Sequence, residues 1–191
     1  MKKTLTMALA SVALLGSLAP LPIYPQDIAV PVALQIPLFL KVMTFDRRFA
    51  GRTGSSLVIA VVYQRGNRAS TVAKDEALKV IAGAPRAFGV VRRGVAIDLD
   101  ARGDLEARLR HQSADVVYVT PLRSADVRDV AAAARDAGAS TWTGVAEYMS
   151  QGIAVGVRLE RDKPRIMINL EAARLQKCDF TSELLKLAQL V

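Results

Sequence analysis

Apolar and polar positions alternate along the chain in blocks of two kinds, which predict strands and helices in turn. Residues 57–63, LVIAVVY, form a continuous β-branched run, typical of a parallel strand buried on both faces. Further strands are predicted at residues 95–99, 115–120 and 140–143. Helices are predicted at residues 36–45, 71–81 and 101–110, and from an N-cap at Ser124, with Asp126 in the first turn, to a stop at Gly138. This alternation favours a parallel sheet with helices on both faces.

The pattern changes after Gly152. Residues 153–159 and 165–168 are predicted strands whose linker is too short for a crossover, so they form a hairpin. Asn169 is then expected to cap a helix over residues 170–176. Thr181 or Asp179 is expected to cap a closing helix over residues 183–190 that lies on the sheet. The predicted fold class is α/β: a three-layer mixed sheet with a parallel N-terminal part, helices on both faces and a C-terminal antiparallel hairpin.

The N-terminal region has the pattern of a secretory signal. Lys2 and Lys3 precede an apolar stretch over residues 5–19. A membrane anchor is the alternative, but the stretch is shorter than the roughly 20 residues that a bilayer needs, and prolines stop it. The predicted organisation is a signal peptide at residues 1–22, an extended segment at 23–34 and a single α/β domain at 35–191.

The amino-acid composition limits the classes of partner and ligand that we expect. The 191 residues carry a formal net charge of +8, and the arginines are interleaved with aspartates, which is usual for a solvated surface. Only 5% of residues are aromatic, which argues against nucleic acid as a partner. The single histidine, His111, is expected on the surface rather than at a metal. Cys178 has no partner for an internal disulfide and is expected to be buried.

Motifs of catalysis are absent from the sequence, which contains no G-x-G-x-x-G, no G-x-S-x-G and no histidine pair. The stretch GRTGSS at residues 51–56 precedes a strand and lacks the lysine of a phosphate loop, so a turn is expected there. Nothing in the sequence requires a cofactor. We therefore expect a binding protein rather than an enzyme.

Two stretches are candidates for a binding site. Asp46 and Arg47 lie at the end of the first predicted helix, and Arg165 and Asn169 lie along the second hairpin strand. Alternation places Arg165, Met167 and Asn169 on one face of that strand. One interpretation is a surface salt bridge plus a helix cap, and the other is a single pocket built from both stretches. Trp142, on a strand of small residues, is expected to be packed.

The C-terminal stretch RIMINLEAARLQKCDFTSELLKLAQLV resembles the closing segment of the YfiR-like family of exported bacterial proteins. The matching positions are Ile168, Asn169, Ala172, Ser182, Leu184, Leu185, Leu187 and Ala188. The order of the remaining elements is similar over the whole mature chain. The resemblance implies a periplasmic α/β domain that binds the periplasmic sensor domain of a membrane-bound diguanylate cyclase and represses it, which lowers cyclic di-GMP and biofilm formation.

The chain departs from the family pattern in three places: Cys178 is alone, TFDRRF replaces an aromatic-proline helix end, and a glycine pair is reduced to Gly152. The leading hypothesis is a non-enzymatic periplasmic regulator, with Asp46, Arg47, Arg165 and Asn169 at its binding site. A homodimer stays open, and neither a metal nor nucleic acid is expected. The alternatives are a single-lobe solute-binding protein of a transport system and, less favoured, a small exported enzyme.

Overall fold

The computed structural model describes residues 28–49, 56–83, 86–87, 90–123 and 125–191. Eight strands form one sheet in the order β2-β3-β1-β4-β5-β6-β7-β8. The strands are β1 (Ser56–Tyr63), β2 (Arg86–Ala87), β3 (Val90–Asp98), β4 (Val116–Val119), β5 (Ser140–Thr143), β6 (Val155–Glu160), β7 (Lys163–Ile168) and β8 (Gln189–Leu190). The helices are α1 (Val32–Met43), α2 (Arg68–Gly83), α3 (Leu105–His111), α4 (Val127–Asp136), a 3₁₀ helix (Ala146–Gln151), α5 (Leu170–Leu175) and α6 (Ser182–Leu187).

Helices cover both faces of the sheet and give two hydrophobic cores. The first core contains side chains from α1, α2, α5 and α6, and the second contains side chains from α3, α4 and the 3₁₀ helix. Strand β1 contributes to both, because Ile59 and Val61 face the first core and Ala60 and Val62 face the second. The predicted three-layer α/β fold is thus confirmed, and β1 is the doubly buried strand that its apolar run indicated.

Strand directions also follow the prediction. Strands β3, β1, β4, β5 and β6 are parallel to their neighbours in that order. Strands β6 and β7 pair antiparallel over six residues each, which makes the predicted hairpin. Its turn residues Arg161 and Asp162 both have positive φ angles, 49° and 60°, as a two-residue hairpin turn requires.

The C-terminal ending differs from its prediction. Helix α6 ends at Leu187, and the chain continues as β8, which pairs parallel with β7. Leu184 and Ala188 are buried as expected, whereas Leu187 is 67% exposed. The apolar spacing is therefore compatible with a helix that continues to residue 190. In the structure, the backbone N–H and C=O groups of residues 189–190 pair with the edge of β7 instead.

Other boundaries shift by a few residues. Helix α1 begins at Val32, after Pro31, so the end of the predicted extended segment is helical and Pro37 lies inside the helix. Asp126 caps α4, because its side chain accepts a hydrogen bond from the Arg128 amide, and the predicted cap Ser124 lies outside the described residues. The predicted signal peptide and residues 51–55 of the predicted turn also lie outside them. No helix among the described residues has the length and apolarity to cross a membrane.

Candidate functional site

Asp46 and Arg47 hold the segment after α1 against the segment before α6. Asp46 is buried, and its Oδ1 atom accepts hydrogen bonds from the amides of Arg48 (3.0 Å) and Asp179 (2.9 Å). The Arg47 amide donates to the Asp179 carbonyl (2.9 Å), and Asp46 forms an isolated antiparallel bridge with Phe180. The Arg47 guanidinium contacts the Asp179 carboxylate at 3.2 Å, with both side chains partly exposed. These contacts, which we call the Asp46 latch, join residues distant in sequence.

Arg165 lies on β7, directly opposite Arg158 of β6. Its Nε atom is 3.8 Å from the Glu160 carboxylate, while Arg158 holds the same carboxylate at 2.8 Å. Nearly half of the Arg165 side chain, 46%, is exposed. Because Glu160 already has a closer partner, Arg165 presents a weakly paired positive charge to solvent.

Asn169 caps α5, as the sequence predicted. Its Oδ1 atom accepts a hydrogen bond from the Ala172 amide (2.9 Å), and its Nδ2 atom donates to the Met149 carbonyl (2.8 Å). The second bond ties the cap to the 3₁₀ helix. Asn169 also borders an open cavity of about 320 Å³ between α4, the 3₁₀ helix and α5. We call it the Asn169 cavity.

Gln176 lines the Asn169 cavity, and the sequence did not indicate a role for it. The buried Gln176 Oε1 atom accepts from the Thr141 amide (2.8 Å) and hydroxyl (3.0 Å), and its Nε2 atom donates to the Gly152 carbonyl (3.0 Å). A single side chain thus joins α5 to β5 and to the turn before β6. No sequence pattern marks this residue, since a glutamine after a helix is ordinarily exposed.

Charge is distributed unevenly around the Asn169 cavity. Arg128 and Arg135 line it from α4, and Glu171 lines it from α5. Arg135 is bound to Asp136, and this hydrogen bond lowers the pKa of the Asp136 carboxyl. Arg128 has no such acidic partner among the described contacts. The exposed Leu175 adds an apolar wall. The cavity can therefore hold a small anion with an apolar part.

The structure places the four candidate residues at three locations. Asp46 and Arg47 lie together, on the side of the first core. Arg165 lies on the opposite face, because Ile166 and Ile168 point into the first core and Met167 into the second. Asn169 is four residues further along, about 13 Å at the rise of a strand. The alternation predicted for Arg165, Met167 and Asn169 is confirmed, but Asp46 and Arg47 are not joined to them in one cavity. Ligand or partner binding by the four residues stays a prediction.

Buried polar side chains bond to one another at the crevice where open α/β sheets usually hold a ligand, at the carboxyl ends of neighbouring strands where the strand order reverses. In this chain the position is between β1 and β4. The buried Ser70 and Thr120 hydroxyls are 2.6 Å apart, and Ser70 accepts from the Gln64 amide. Asn67 donates to the Pro121 carbonyl, and Gln64 accepts from the Arg123 amide. The buried polar groups of this crevice are largely engaged with one another.

The remaining candidate residues are placed as expected from the sequence. His111 is exposed, Cys178 is buried and Trp142 is fully buried, with its ring centroid 5.5 Å from that of Phe39. The described residues contain no cluster of three or more histidine, cysteine or acidic side chains that could hold a metal ion.

Comparisons with known proteins give the family and support the fold. No curated protein sequence is detectably similar to the chain. A conserved domain protein of Vibrio cholerae superposes with a TM-score of 0.57 and 13% identity, and the ABC domain of Streptococcus pneumoniae in complex with L-Trp superposes with 0.55 and 12%. Each superposition covers 84% of this chain and 60% of the other, so the chain spans less than two thirds of either structure. A family model matches residues 53–189, from before β1 into β8. The chain belongs to the YfiR/HmsC-like family.

Proposed function

We propose that this protein is a non-enzymatic periplasmic regulator. It binds the periplasmic domain of an inner-membrane signalling protein, with a diguanylate cyclase as the expected partner, and represses it. The observation that carries the proposal is membership of the YfiR/HmsC-like family over residues 53–189, which include three of the described helices of each core, strands β1 to β7 and the first residue of β8. The hydrogen bonds among the buried polar groups between β1 and β4 are in keeping with binding by the surface rather than with catalysis.

Repression requires that the regulator binds the inactive state of its partner more tightly than the active state. A ten-fold fall in the ratio of active to inactive partner needs a difference of about 1.4 kcal/mol in binding free energy. One or two ion pairs desolvated in an interface can supply a difference of this size.

Arg165 is the candidate residue best placed to supply such a pair. Its side chain is half exposed, and its nearest carboxylate is already held by Arg158. Arg47 is similarly exposed at the Asp46 latch. Asp46 and Asn169 have a different part, because both are engaged with backbone groups and position the surface instead of forming it. The proposed contacts are therefore Arg165 and Arg47, with Asp46 and Asn169 in support.

The test compares cyclic di-GMP in cells that lack the gene and in cells that carry the wild-type protein or a variant. Deletion should raise the level of cyclic di-GMP, and the wild-type protein should lower it again to the original level. Arg165→Ala should lower it only in part, although the variant protein accumulates normally. Lys186→Ala, which removes one exposed positive charge from α6, is the matched control and should lower the cyclic di-GMP level as far as the wild-type protein does. In parallel, crosslinking of the tagged protein in its own cells should recover an inner-membrane protein with a periplasmic sensor and a cyclase domain. Unchanged cyclic di-GMP on deletion, with no such protein crosslinked, refutes the proposal.

A solute-binding function is the second candidate, and the Asn169 cavity is the observation that favours it. Its volume of about 320 Å³ and its arginines suit a small carboxylate. A panel of amino acids and organic acids would raise the melting temperature of the wild-type protein, because a ligand that binds only the folded state stabilises it. Arg128→Ala should abolish the shift, and Arg123→Ala, on the loop after β4, should keep it. A melting temperature unchanged by every compound removes this candidate.

A further inference from the structure

Among the described residues, the outer edge of β3 has a partner strand only at its first two positions. Strand β2 pairs with β3 only at Val90 and Val91, and β1 occupies the other edge. Alternate residues of a strand direct their N–H and C=O groups to opposite edges. The Leu99 amide donates to the Tyr63 carbonyl of β1, so odd-numbered residues of β3 face β1. The N–H and C=O groups of Gly94 and Ala96 consequently face away from the sheet, where no described strand pairs with them.

A groove lies at the C-terminal end of this edge, where Ala96, Ile97 and Asp98 line it. It has a volume of about 520 Å³ and lies between β3 and α3. We call it the β3 edge groove. Its lining residues are Ala96, Ile97, Asp98, Ala101, Arg102, Gly103, Asp104, Ala107, Arg108, His111 and Gln112. Strand and helix run in opposite directions along it, since Arg93 reaches the end of α3 and Asp98 lies beside Arg108.

Two arginines fix the walls of the groove. The Arg93 Nη2 atom donates to the Gln112 carbonyl at 3.0 Å, and the Arg108 Nη1 atom donates to the Asp98 carbonyl at 2.6 Å. These bonds hold the middle of α3 and its C-cap beside β3. The distance from Arg93 to Asp98 along a strand is about 16 Å, the length of five extended residues. The groove is thus preformed at Ala96, Ile97 and Asp98, and the β3 edge that continues from it back to Arg93 has the length of a short strand.

The backbone groups and apolar side chains along the groove suit an extended polypeptide as the ligand. The two unpaired backbone positions of β3 lie one two-residue repeat apart, the spacing of the bonding positions of an added strand. Ile97 and Ala107 offer apolar contact to the side chains of that strand that face α3, and Ala96 lies on the other face of the sheet. A small molecule would leave the backbone groups of the edge unpaired, whereas a peptide backbone satisfies them.

Positive charge predominates at the groove. Arg102 and Arg108 line it, and Arg93 contacts its lining residue Gln112, while the acids in the lining are Asp98 and Asp104. Arg65 holds the Asp98 carboxylate at 2.7 Å, and Asp104 caps α3 through the Ala107 amide. Arg93 and Arg108 contact only neutral oxygen atoms of Gln112 and Asp98 in the bonds described above. An acidic segment is therefore the complementary partner.

We infer that the β3 edge groove is a docking site for an extended acidic segment of another protein, which adds to the sheet as a strand beside β3. The inference is independent of the identity of the signalling partner, and the groove is distinct from Arg165, the Asp46 latch and the Asn169 cavity. Edge strands that remain open invite pairing of this kind.

The probe is a fluorescently labelled eight-residue peptide of alternating glutamate and valine, titrated with the full chain and followed by anisotropy. A peptide of alternating lysine and valine is the charge control. The acidic peptide should bind saturably and at least ten-fold more tightly than the basic one. Equal binding of both peptides, or binding of neither, overturns the inference.

Variants place the binding on the groove. Ala96→Pro removes an outward N–H, a substitution that edge strands tolerate, and Ala107→Glu adds a negative charge to the exposed face of α3. Each should weaken the acidic peptide at least ten-fold. Ser182→Glu, which adds the same charge at the start of α6, should leave the affinity unchanged. Circular dichroism verifies the fold of each variant, and retained affinity in folded Ala107→Glu contradicts the inference.

Amide hydrogen exchange distinguishes an open groove from one that the chain itself covers. The Gly94 and Ala96 amides should exchange rapidly in the free protein and slowly with the acidic peptide bound. Slow exchange of both amides without peptide would mean that another part of the chain already pairs with β3, and it would refute the inference.

Discussion

Gly144→Ala tests the packing of the buried polar group at the centre of the first core. A Cβ atom at Gly144 would lie 2.5 Å from the Gln35 Cδ atom. Gln35 is fully buried, its Nε2 atom donates to the Val30 carbonyl (2.6 Å), and its Oε1 atom accepts from the Tyr118 hydroxyl (2.7 Å). The amide cannot move aside without weakening both bonds.

The expected loss follows from those two bonds. Leaving a buried polar group unsatisfied costs about 1–3 kcal/mol, and an added methyl group in a packed core costs a similar amount in strain. We expect Gly144→Ala to lower the free energy of unfolding by about 3 kcal/mol or more, measured by urea denaturation. Gly83→Ala is the control, because nothing lies within 4 Å of the added atom, and its effect should stay within about 1 kcal/mol.

A double-mutant cycle identifies the clashing partner. If Gln35 is responsible, Gly144→Ala should cost little in a Gln35→Ala background, where the side chain that it meets is gone. A change below about 0.5 kcal/mol for Gly144→Ala in the wild-type background refutes the reasoning. So does an equally large loss in the Gln35→Ala background.

Tyr118→Phe removes the hydroxyl bound to Gln35 and should cost about 1–3 kcal/mol at neutral pH. Burial, with a smaller effect of Glu76, raises the pKa of Tyr118, so its stabilising contribution is complete below its unfolded-state pKa of about 10 and decreases above it. Urea unfolding at pH 7 and 11 should therefore show a larger alkaline loss for wild type than for the variant, and equal losses would contradict this. Asn169→Ala should cost about 1–3 kcal/mol through the α5 cap and the Met149 bond, with Asn169→Asp intermediate in thermal unfolding. Asp46→Ala should cost about 2 kcal/mol and Arg47→Ala less than about 1, because only Asp46 is buried; similar losses would show that the buried carboxylate does not support the latch.

Local pattern was sufficient where one physical cause dominates. The run at β1 is apolar on both faces, so only a central strand buries it. The short linker between β6 and β7 excludes a crossover, and the asparagine before α5 has the geometry of a cap. The ends of elements were less well predicted, as at Val32 and Leu187, because apolar spacing is the same in a helix and in a short helix followed by an edge strand.

The candidate site was only partly predictable. The sequence singled out charged residues near helix ends, but Arg165 and Asp46 lie on opposite faces of the sheet. Gln176 and Arg128 were not predicted as site residues, because their positions at the Asn169 cavity depend on how α4 and α5 pack. No local pattern contains that information.

The sequence by itself determined the α/β class, the alternation of the longer strands and helices, the hairpin and the family resemblance, because these follow from periodicity, linker length and caps within short stretches. It did not indicate the two-residue strands β2 and β8 or the 3₁₀ helix. The tertiary structure alone decided which residues meet. The Asp46 latch joins residues 133 positions apart. Among the described residues, the outer edge of β3 is open because β2 pairs with it at only two positions, while α3 lies beside the strand. Such contacts depend on sheet order and packing between distant segments, which periodicity along the chain does not specify.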